Sequence, residues 1–486
     1  MNLKNENKMK KLAAIIGGGV IGGGWLARFL LNGWDVNLYD PDPESERKIK
    51  AVLENARHAL PMLYDINLPP EGSLKFCENI KDAVDGATWI QESVPERLDL
   101  KHKVFNEIIS HASSDAVIGS STSGFKPSEL QEESVRPDSI IVTHPFNPVY
   151  LLPLIELVPS PANSEAIINK AKEILTSLGM FPLHVRKEID AHIADRFLEA
   201  VWREGLWLIK DGIATTQEID DAIRYGFGLR WAQMGLFETY RIAGGEEGMA
   251  HFISQFGPCL QWPWTKLMDV PELNDELIEQ IANQSDTQSG HKSIRELERL
   301  RDNNLIAILR SLKNENTAAG ALINKHEQTI KPELPSEYKE PITTISRVIP
   351  NDWTDYNGHM NESRYGQIFS DAADIIMKTV GANEAYIASG LSYFTVDIAI
   401  KFLAETHAGS HIHVKSYILL GEGKKMRLFH QMFGDDDTLM ATGEQMLIHV
   451  SLETRRACEP RKDVLANLER IATAHSKFED PRGKRQ

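Results

Sequence analysis

The sequence has few cysteines and no long hydrophobic run. Cys77, Cys259 and Cys458 are its 3 cysteines, and they lie far apart along 486 residues. An odd number of widely spaced cysteines fits neither a disulfide framework nor the paired spacing of a zinc site, so we expect reduced thiols, no bound metal and a cytoplasmic location. No stretch of about 18 consecutive apolar residues occurs, and we therefore expect no transmembrane helix.

Basic residues are also scarce relative to acidic ones. The chain contains 53 Lys and Arg residues against 69 Asp and Glu residues, which gives a formal net charge of -16. Proteins that bind nucleic acids need basic patches against the phosphates, so this balance argues against a nucleic-acid partner. Residues 1–26 have a basic start and then an apolar run, as a signal peptide does, but glycines interrupt that run and secretion is not expected.

The remaining composition is that of a globular protein with more than one domain. Hydrophobic residues make up 42% and charged residues 25% of the chain, which is ordinary for folded domains, and the length favours two or three of them. Short β-like runs alternate with helical patterns over residues 11–190, which predicts a parallel sheet with crossover helices. The predicted strands are residues 11–16, 35–39, 87–91, 116–120, 139–144 and 154–158.

The pattern changes twice after residue 190. Helical stretches dominate residues 191–328, and residues 329–341 combine three prolines with few large apolar residues, which is typical of a linker. Beyond the linker, one helical pattern at 363–381 precedes most of a set of β-rich segments, which predicts a helix with an antiparallel sheet over residues 342–474. The charged residues at 475–486 predict a disordered tail.

A glycine motif follows the first predicted strand and opens a helical pattern. In Gly17-x-Gly19-x-x-Gly22, the first glycine permits a tight turn, the second lets the backbone approach a pyrophosphate, and the third allows close helix packing. Asp40 closes the next predicted strand and would accept hydrogen bonds from the adenosine ribose hydroxyls while repelling a 2′-phosphate. The pattern predicts an NAD site; the alternatives are an FAD site or a glycine-rich loop in another α/β fold.

A histidine and a glutamate follow towards the end of the same region. His144 ends a predicted strand, at the carboxyl edge where open sheets bind ligands, and Glu156 lies in the next strand-like run. Oxidation of an alcohol requires removal of the hydroxyl proton as hydride leaves, and a histidine titrates in the right range for that task. We expect His144 to act as the base and Glu156 to hold the imidazole tautomer and stabilise the imidazolium.

Residues 10–325 resemble the 3-hydroxyacyl-CoA dehydrogenase superfamily, through the segments IGGGVIGGGWL, ESVPERLDLKHKVF, GSSTSGF, THPFNP and IELV. The resemblance implies an α/β Rossmann domain over residues 1–190 and an all-α dehydrogenase C-terminal domain, for substrate binding and dimerisation, over residues 191–328. It also makes His144 the catalytic base and Glu156 its partner. The other implied site residues are Ser123 and Asn147 on the substrate oxygen and Glu96 and Lys101 along the cofactor.

One segment departs from the family pattern. Where the family usually has a segment resembling GFIVNR, this chain has AHIADR, so the carboxylate of Asp195 replaces a neutral asparagine side chain. The usual substrate contact at this position is therefore in doubt, and a carboxylate favours a cationic substrate instead. Residues 44–80 also lack the extended basic segment of the acyl-CoA enzymes, which argues for a smaller substrate than an acyl-CoA.

The helical region is rich in aromatic residues, whose faces attract quaternary ammonium groups. Segments 226–235 and 261–273 also resemble those of L-carnitine dehydrogenases. We expect Phe146, Phe227 and Trp231 to surround the ammonium group of L-carnitine. The alternative is that most of the aromatic residues belong to the core or to a dimer interface. The aromatic residues of the helical region are Trp202, Trp207, Tyr225, Phe227, Trp231, Phe237, Tyr240, Trp262 and Trp264.

The segment NDWTDYNGHMNESRY, residues 351–365, carries a second signature. It is similar to the motif D-x-x-G-H-x-N-x-x-x-Y of hotdog-fold acyl-CoA thioesterases of the 4-hydroxybenzoyl-CoA type, and the resemblance covers about residues 342–470. It implies an α+β hotdog domain in which Asp355 acts as base or nucleophile on a thioester, while His359 and Asn361 position the loop or the substrate. The alternative is a module kept for dimerisation, in which Asp355 only caps the helix.

The two resemblances imply two linked activities. We expect the amino-terminal part to oxidise L-carnitine to 3-dehydrocarnitine with NAD, and the carboxy-terminal part to hydrolyse betainyl-CoA to glycine betaine and CoA. The expected partners are these small molecules and a second copy of the chain, because both kinds of domain usually form homodimers. Two alternatives stay open: a 3-hydroxyacyl-CoA dehydrogenase joined to an acyl-CoA thioesterase, or a dehydrogenase joined to a non-catalytic hotdog module.

Overall fold

The structure, a computed structural model, describes residues 11–243, 248–256, 265, 272, 274–331, 338 and 340–482. The chain divides into two compact units: the second comprises Leu60–Leu68 and the chain from Glu327 onward, and the first comprises the rest. Within the described ranges, no helix is long and apolar enough to cross a membrane, and no cluster of His, Cys, Asp or Glu side chains could hold a metal ion.

The first unit is built on an eight-stranded sheet in the order β3-β2-β1-β4-β5-β6-β7-β8. It contains all of the predicted strands and two more, β3 and β8. Neighbouring strands are parallel except β6 and β7, which are antiparallel, so the prediction of a parallel sheet was wrong at this pair. The two strands are antiparallel because the connection between them, residues 146–153, is too short for a crossover helix. The strands are β1 Leu12–Ile16, β2 Asp35–Tyr39, β3 Leu74–Phe76, β4 Trp89–Glu92, β5 Val117–Ser120, β6 Ile140–Pro145, β7 Leu154–Val158 and β8 Phe181–His184.

Helices cover the central strands on both sides, as a Rossmann domain requires. Every residue of β1 is buried: Leu12, Ala14 and Ile16 lie in a hydrophobic cluster on one face, and Ile15 on the other face approaches α1 at Gly22. The central strands therefore read as continuous apolar runs rather than as alternating patterns. The helices of this domain are α1 Val20–Leu30, α2 Ser45–Ala59, α3 Ile80–Val84, α4 Leu98–His111, α5 Pro127–Gln131 and α6 Glu165–Ser177.

Between residues 194 and 330 the described secondary-structure elements are all helices, as predicted. A π-helical turn at Ile223–Phe227 joins α8 to α9, and α9 is kinked at Gly235, whose φ of 71° only glycine adopts without strain. Trp262, Trp264 and most of the predicted linker lie outside the described residues. The helices are α7 Ala194–Lys210, α8 Thr216–Ala222, α9 Gly228–Ala243, α10 Gly248–Phe256, α11 Asp275–Ser289, α12 Ile294–Asn314 and α13 Ala318–Ile330.

The second unit has the antiparallel sheet and central helix of a hotdog domain. The sheet order is β10-β13-β12-β11-β9, and α14 packs against it with alternate residues of β11 buried beneath the helices. Gly381 ends α14 in the left-handed conformation, with φ 102°. The elements are β9 Ile342–Val348, α14 Glu362–Val380, α15 Glu384–Ala388, β10 Leu391–Phe402, β11 His411–Glu422, β12 Lys425–Gly434, β13 Leu439–Ser451 and α16 Lys462–His475.

The structure also describes part of the segment for which the sequence predicts a disordered tail. Helix α16 runs to His475, and the ring of Phe478 lies 5.4 Å from that of His475 and 6.4 Å from that of Tyr417. These contacts hold the residues just after the helix against β11.

Candidate active sites

The three motif glycines occupy the turn from β1 into α1. A Cβ atom on Gly17, whose φ is 99°, would lie 2.6 Å from the carbonyl oxygen of Ser93, and one on Gly22 would lie 1.8 Å from the carbonyl oxygen of Gly17. Both positions therefore require glycine. A Cβ atom on Gly19 would meet nothing within 4 Å, so open space lies beside the start of α1, where a pyrophosphate can approach the helix N-terminus. The glycine loop fits a dinucleotide.

Asp40 lies at the end of β2 and contacts the glycine loop. Its Oδ2 accepts a short hydrogen bond from the amide of Gly18, and its Oδ1 accepts one from the amide of Asp42 at 2.7 Å. A carboxylate oxygen has a second lone pair, so both oxygens can still accept hydrogen bonds from ribose hydroxyls. The position fits the predicted role of Asp40 in choosing NAD over NADP.

Lys101 is a buried cation at the start of α4, and it lies between two carboxylates. Its Nζ is 2.8 Å from Glu92 Oε1 and 3.2 Å from Glu96 Oε2. Glu92, which the sequence reasoning missed, is also buried and accepts hydrogen bonds from the Ser120 hydroxyl and the Val94 amide. Both carboxylates contact its ammonium group, so Lys101 ties β4 to the loop that follows it.

Glu96 anchors the loop that follows β5. Its Oε1 accepts hydrogen bonds from the hydroxyl of Thr122 and from the amides of Ser123 and Gly124, the last two at 3.2 Å. Burial alone would raise the pKa of Glu96, but the hydrogen bond from Thr122 and the charge of Lys101 hold it below its usual value. Ser123, a predicted substrate contact, is exposed in this loop at the carboxyl edge of the sheet.

His144 and Glu156 face each other across the antiparallel pair β6 and β7, where they are direct partners in the register. His144 Nδ1 lies 3.0 Å from Glu156 Oε2, and the two residues are 6% and 0% exposed. An ionised Glu156 accepts a hydrogen bond at this contact, so Nδ1 carries the hydrogen and the lone pair of Nε2 is left to accept a proton. The structure thus brings together the two residues predicted to remove the hydroxyl proton.

The second oxygen of Glu156 extends this arrangement to the helical domain. Oε1 accepts hydrogen bonds from the amides of Ile193 and Ala194 at 2.8 and 2.9 Å, at the start of α7. Burial would raise the pKa of Glu156, but His144 and these two amides outweigh it and hold the pKa below its usual value. Glu156 is therefore ionised and fixed, which the role of imidazolium partner requires.

Asp195, the residue that departs from the family pattern, lies in the first turn of α7. Its Oδ2 is 3.8 Å from His144 Nε2, on the opposite side of the ring from Glu156, and its side chain is 20% exposed. Burial raises the pKa of Asp195, and the charge of His144 opposes the shift. A carboxylate thus stands next to the nitrogen that would meet the substrate hydroxyl.

His192 is a fully buried residue beside His144 that the sequence reasoning missed. Its ring lies 5.6 Å from the ring of His144, its Nε2 is 3.4 Å from the carbonyl oxygen of Thr122, and its φ is 50°. Burial and the neighbouring His144 lower its pKa, which favours the neutral form of the ring. The signal was present in the segment AHIADR, where a histidine stands in place of the phenylalanine of GFIVNR.

The aromatic residues predicted to hold an ammonium group fall into two places. The ring of Phe146 meets that of His144 edge to face at 4.9 Å, and Asn147 is exposed beside it. Phe227 and Trp231 contact each other at 4.6 Å. Within the part of the chain that the structure describes, no ring contact joins Phe146 to this pair, so a single aromatic box around the ammonium group stays a prediction.

In the hotdog domain, Asp355 orders the turn before α14. Its Oδ1 accepts hydrogen bonds from the amides of Asn357 at 2.8 Å and His359 at 3.3 Å. The cap of α14 is Asn361, whose Oδ1 accepts from the amide of Ser363 at 3.0 Å. The alternative in which Asp355 caps the helix was therefore wrong. The N-cap residue directly precedes its helix, and α14 begins only at Glu362. Asn361 uses its side-chain oxygen in the cap.

Two residues between β10 and β11 complete the surroundings of His359. Its Nε2 lies 3.3 Å from Glu405 Oε2, and its ring is 4.8 Å from that of His407. His407 Nδ1 is in turn 3.1 Å from the carbonyl oxygen of Gly358. Glu405 and His407 could not be identified from the sequence, because only the fold brings their segment back to the Asp355 turn.

Known protein families match three separate parts of the chain. Residues 12–189 match the NAD binding domain of 3-hydroxyacyl-CoA dehydrogenases, and residues 192–276 match the C-terminal domain of the same enzymes. Residues 349–468 match the thioesterase-like superfamily. The protein is thus an NAD-binding dehydrogenase of the 3-hydroxyacyl-CoA dehydrogenase class joined to a thioesterase-like hotdog domain. NAD is its cofactor, as the glycine motif and Asp40 predicted.

Similar proteins share the whole arrangement. An L-carnitine dehydrogenase/betainyl-CoA thioesterase of Ruegeria pomeroyi is 63% identical over 476 residues, 97% of this chain and 98% of that protein. One of Rhizobium meliloti is 48% identical over 483 residues, 97% of each chain. The chain belongs to this family of L-carnitine dehydrogenase/betainyl-CoA thioesterases.

Smaller relatives and a solved structure match the dehydrogenase part alone. An L-carnitine dehydrogenase of Mesorhizobium japonicum is 59% identical over 309 residues, 63% of this chain and 85% of that protein. A crystal structure of 5-formyl-3-hydroxy-2-methylpyridine 4-carboxylic acid 5-dehydrogenase, an NAD+ dependent dismutase, superposes with a TM-score of 0.54 at 25% identity, over 63% of this chain and 99% of that one. The likeness supports the fold of the dehydrogenase part.

Proposed function

We propose that the amino-terminal part oxidises L-carnitine to 3-dehydrocarnitine with NAD, and that the carboxy-terminal part hydrolyses betainyl-CoA to glycine betaine and CoA. Relatives that carry both names match this chain along nearly its whole length, which supports both activities together. A separate enzyme must act between the two reactions, because the product of the first is not a thioester.

In the oxidation, His144 Nε2 accepts the proton of the substrate hydroxyl. Glu156 keeps the other ring proton on Nδ1 and stabilises the imidazolium, from a contact of 3.0 Å. NAD, when bound at the glycine loop, accepts the hydride. Ser123 and Asn147 orient the hydroxyl oxygen from the loops beside His144, as in the resembling dehydrogenases.

The observation that carries the choice of L-carnitine is the carboxylate of Asp195, 3.8 Å from His144 Nε2. In carnitine the ammonium group is attached to the carbon next to the carbinol carbon. A hydroxyl placed at Nε2 therefore brings the ammonium group within a few ångströms of Asp195. The face of Phe146 beside His144 adds an attraction for the cation, and Phe227 and Trp231 are the further aromatic contacts in this proposal.

A pair of substrates tests this choice. The neutral carbon isostere of carnitine, in which a quaternary carbon replaces the nitrogen, keeps the shape and removes the charge. We expect the wild-type kcat/KM for L-carnitine to exceed that for the isostere by about 10-fold or more, which corresponds to about 1.4 kcal/mol. In Asp195→Asn this preference should shrink, with a higher KM for L-carnitine. Unchanged kinetics in the variant would remove Asp195 from substrate recognition.

In the hydrolysis, Asp355 acts as base or nucleophile towards the thioester carbonyl. Two turn amides hold its Oδ1, so the carboxylate keeps one orientation and Oδ2 can face the substrate. His359, with Glu405 and His407 around its ring, positions the loop, and Asn361 keeps the start of α14 in place.

We also propose that the protein is a cytoplasmic homodimer or a larger homo-oligomer. Phe197, Leu198 and Trp202 are exposed on α7, and Val396 and Phe402 are exposed on β10, an edge strand of its sheet. Exposed apolar groups of this kind mark interfaces, and an unpaired strand edge can pair with a second copy. The absence of a disulfide at Cys77 and Cys458 and the use of NAD and CoA support the cytoplasm. Light scattering should give at least twice 54.6 kDa; the mass of a monomer would contradict the proposal.

A further inference from the structure

We infer that Asp195 is also the route by which the proton leaves the active site: it takes the proton from His144 Nε2 and passes it to solvent. This inference rests on the proposed oxidation and adds a second role to a residue already assigned to substrate recognition. The question arises because each turnover leaves one proton on His144, and the base must lose it before the next hydroxyl can bind.

The Nδ1 side of His144 offers no exit. Glu156, its partner there, is 0% exposed, and the carboxylate oxygen that does not face His144 is held by the amides of Ile193 and Ala194. A proton passed to Glu156 would therefore remain inside the protein. The transferred proton also arrives on the other nitrogen, Nε2, since Nδ1 already carries one.

Asp195 meets the requirements of a proton acceptor on the Nε2 side. Its Oδ2 lies 3.8 Å from Nε2, and its side chain is 20% exposed against 7% for His144. A distance of 3.8 Å is longer than a hydrogen bond, so one water molecule or a small rotation of the carboxylate completes the path. The exposed edge of the carboxylate then returns the proton to bulk water.

The charges around Asp195 favour this role. The groups that face it are His144 on β6, Glu156 on β7, His192 in the loop before α7, and Glu199 one turn further along α7. Burial raises the pKa of Asp195, both carboxylates add to the shift, and only the histidines oppose it. An acid with a raised pKa accepts a proton from an imidazolium more readily than an ordinary aspartate does.

His192, the other imidazole next to His144, cannot serve instead. It is 0% exposed and therefore has no contact with solvent through which to release a proton. Burial and His144 also lower its pKa, which opposes the uptake of a second proton. Its variant His192→Phe, which restores the ring found in the resembling dehydrogenases, is the matched comparison for Asp195.

The substrate itself sets the order of events. While the ammonium group lies beside Asp195, it keeps the carboxylate ionised, and the ionised carboxylate helps Nε2 to take the hydroxyl proton. When the product leaves, this cation is lost and the proton affinity of Asp195 rises. The proton then moves from Nε2 to Oδ2 and on to water, so that one proton is released for each alcohol oxidised.

The test is a single-turnover experiment on the full-length enzyme with NAD and L-carnitine. Stopped-flow absorbance follows NADH formation, and a pH-indicator dye in weak buffer follows proton release. In the wild type, proton release should follow NADH formation at the rate at which the product leaves. In Asp195→Asn proton release should be slower than this by about 10-fold or more, a lag beyond product departure that His192→Phe, whatever its rate of NADH formation, should not show.

Rescue by small buffers supplies the second measurement. In Asp195→Ala, which leaves space beside Nε2, turnover should rise with the concentration of imidazole or formate at constant pH and ionic strength, while wild-type turnover should not. Proton release without this lag in Asp195→Asn would overturn the inference, and so would the same lag if it appeared in His192→Phe instead. A raised KM for L-carnitine without a lag would support the recognition role and rule out the proton route. A lag without a change in KM would support the proton route and rule out the recognition role.

Discussion

His144 and Glu156 are paired by the register of two antiparallel strands, with Nδ1 and Oε2 3.0 Å apart. The same carboxylate accepts hydrogen bonds from the amides of Ile193 and Ala194 at the start of α7, and Asp195 lies in the first turn of that helix. One buried residue therefore fixes the tautomer of His144 and the start of the helix that places the Asp195 carboxylate on the other side of the ring.

Glu156→Gln should lower kcat for L-carnitine oxidation by about 100-fold or more, because an amide can neither fix the tautomer nor stabilise the imidazolium. NAD binding, measured by fluorescence titration, should not change, since the glycine loop is untouched. Glu107→Gln, an exposed carboxylate on α4, is the control and should behave as the wild type. A kcat within twofold of the wild type in Glu156→Gln would contradict the assigned role.

Lys101→Met should destabilise the protein by about 3–5 kcal/mol, because it leaves the buried carboxylate of Glu92 without its cation. Chemical denaturation followed by circular dichroism measures the change. Lys103→Met, at an exposed position on the same helix, should have little effect. The double variant with Glu92→Gln should recover part of the loss; if it is no more stable than Lys101→Met, the ion pair is not the cause.

Asp195→Asn should be more stable than the wild type at neutral pH. The folded-state pKa of Asp195 is raised, chiefly by burial, so the native state gains from the protonated form and loses stability as the pH rises through that folded value. Asparagine cannot ionise and avoids this loss. The difference in Tm between variant and wild type should be larger at pH about 8 than at pH about 4, with Asp85→Asn as an exposed control. A difference that does not depend on pH would refute the assignment.

Asp355→Asn should abolish release of CoA from betainyl-CoA and leave L-carnitine oxidation unchanged, because the two reactions use different domains. A thiol reagent follows the CoA, and NADH absorbance follows the oxidation. Glu362→Gln, an exposed carboxylate in the first turn of α14, is the control. Full thioesterase activity in Asp355→Asn would move attention to Glu405, which lies beside His359.

The sequence was most informative where a local pattern carries its own physical reason. Six of the eight strands of the first sheet follow from short apolar runs, and the glycine loop and the pair His144 and Glu156 follow from motif spacing. The antiparallel turn between β6 and β7 was missed because a strand pattern does not show its direction. Glu405 and His407 were missed for a different reason: they reach the Asp355 turn only through the packing of the whole hotdog sheet.

The measurement that tests the central claim most directly is NADH formation by the purified protein with NAD and L-carnitine. D-carnitine, 3-hydroxybutyryl-CoA and L-gulonate serve as parallel substrates under the same conditions. The geometry of His144, Glu156 and Asp195 predicts little or no turnover of 3-hydroxybutyryl-CoA and L-gulonate, which carry no ammonium group, and the proposed function predicts turnover of L-carnitine over D-carnitine. Oxidation of 3-hydroxybutyryl-CoA with no turnover of L-carnitine would contradict the account, because Asp195 would then have no cation to recognise and the thioesterase domain would require a different acyl-CoA.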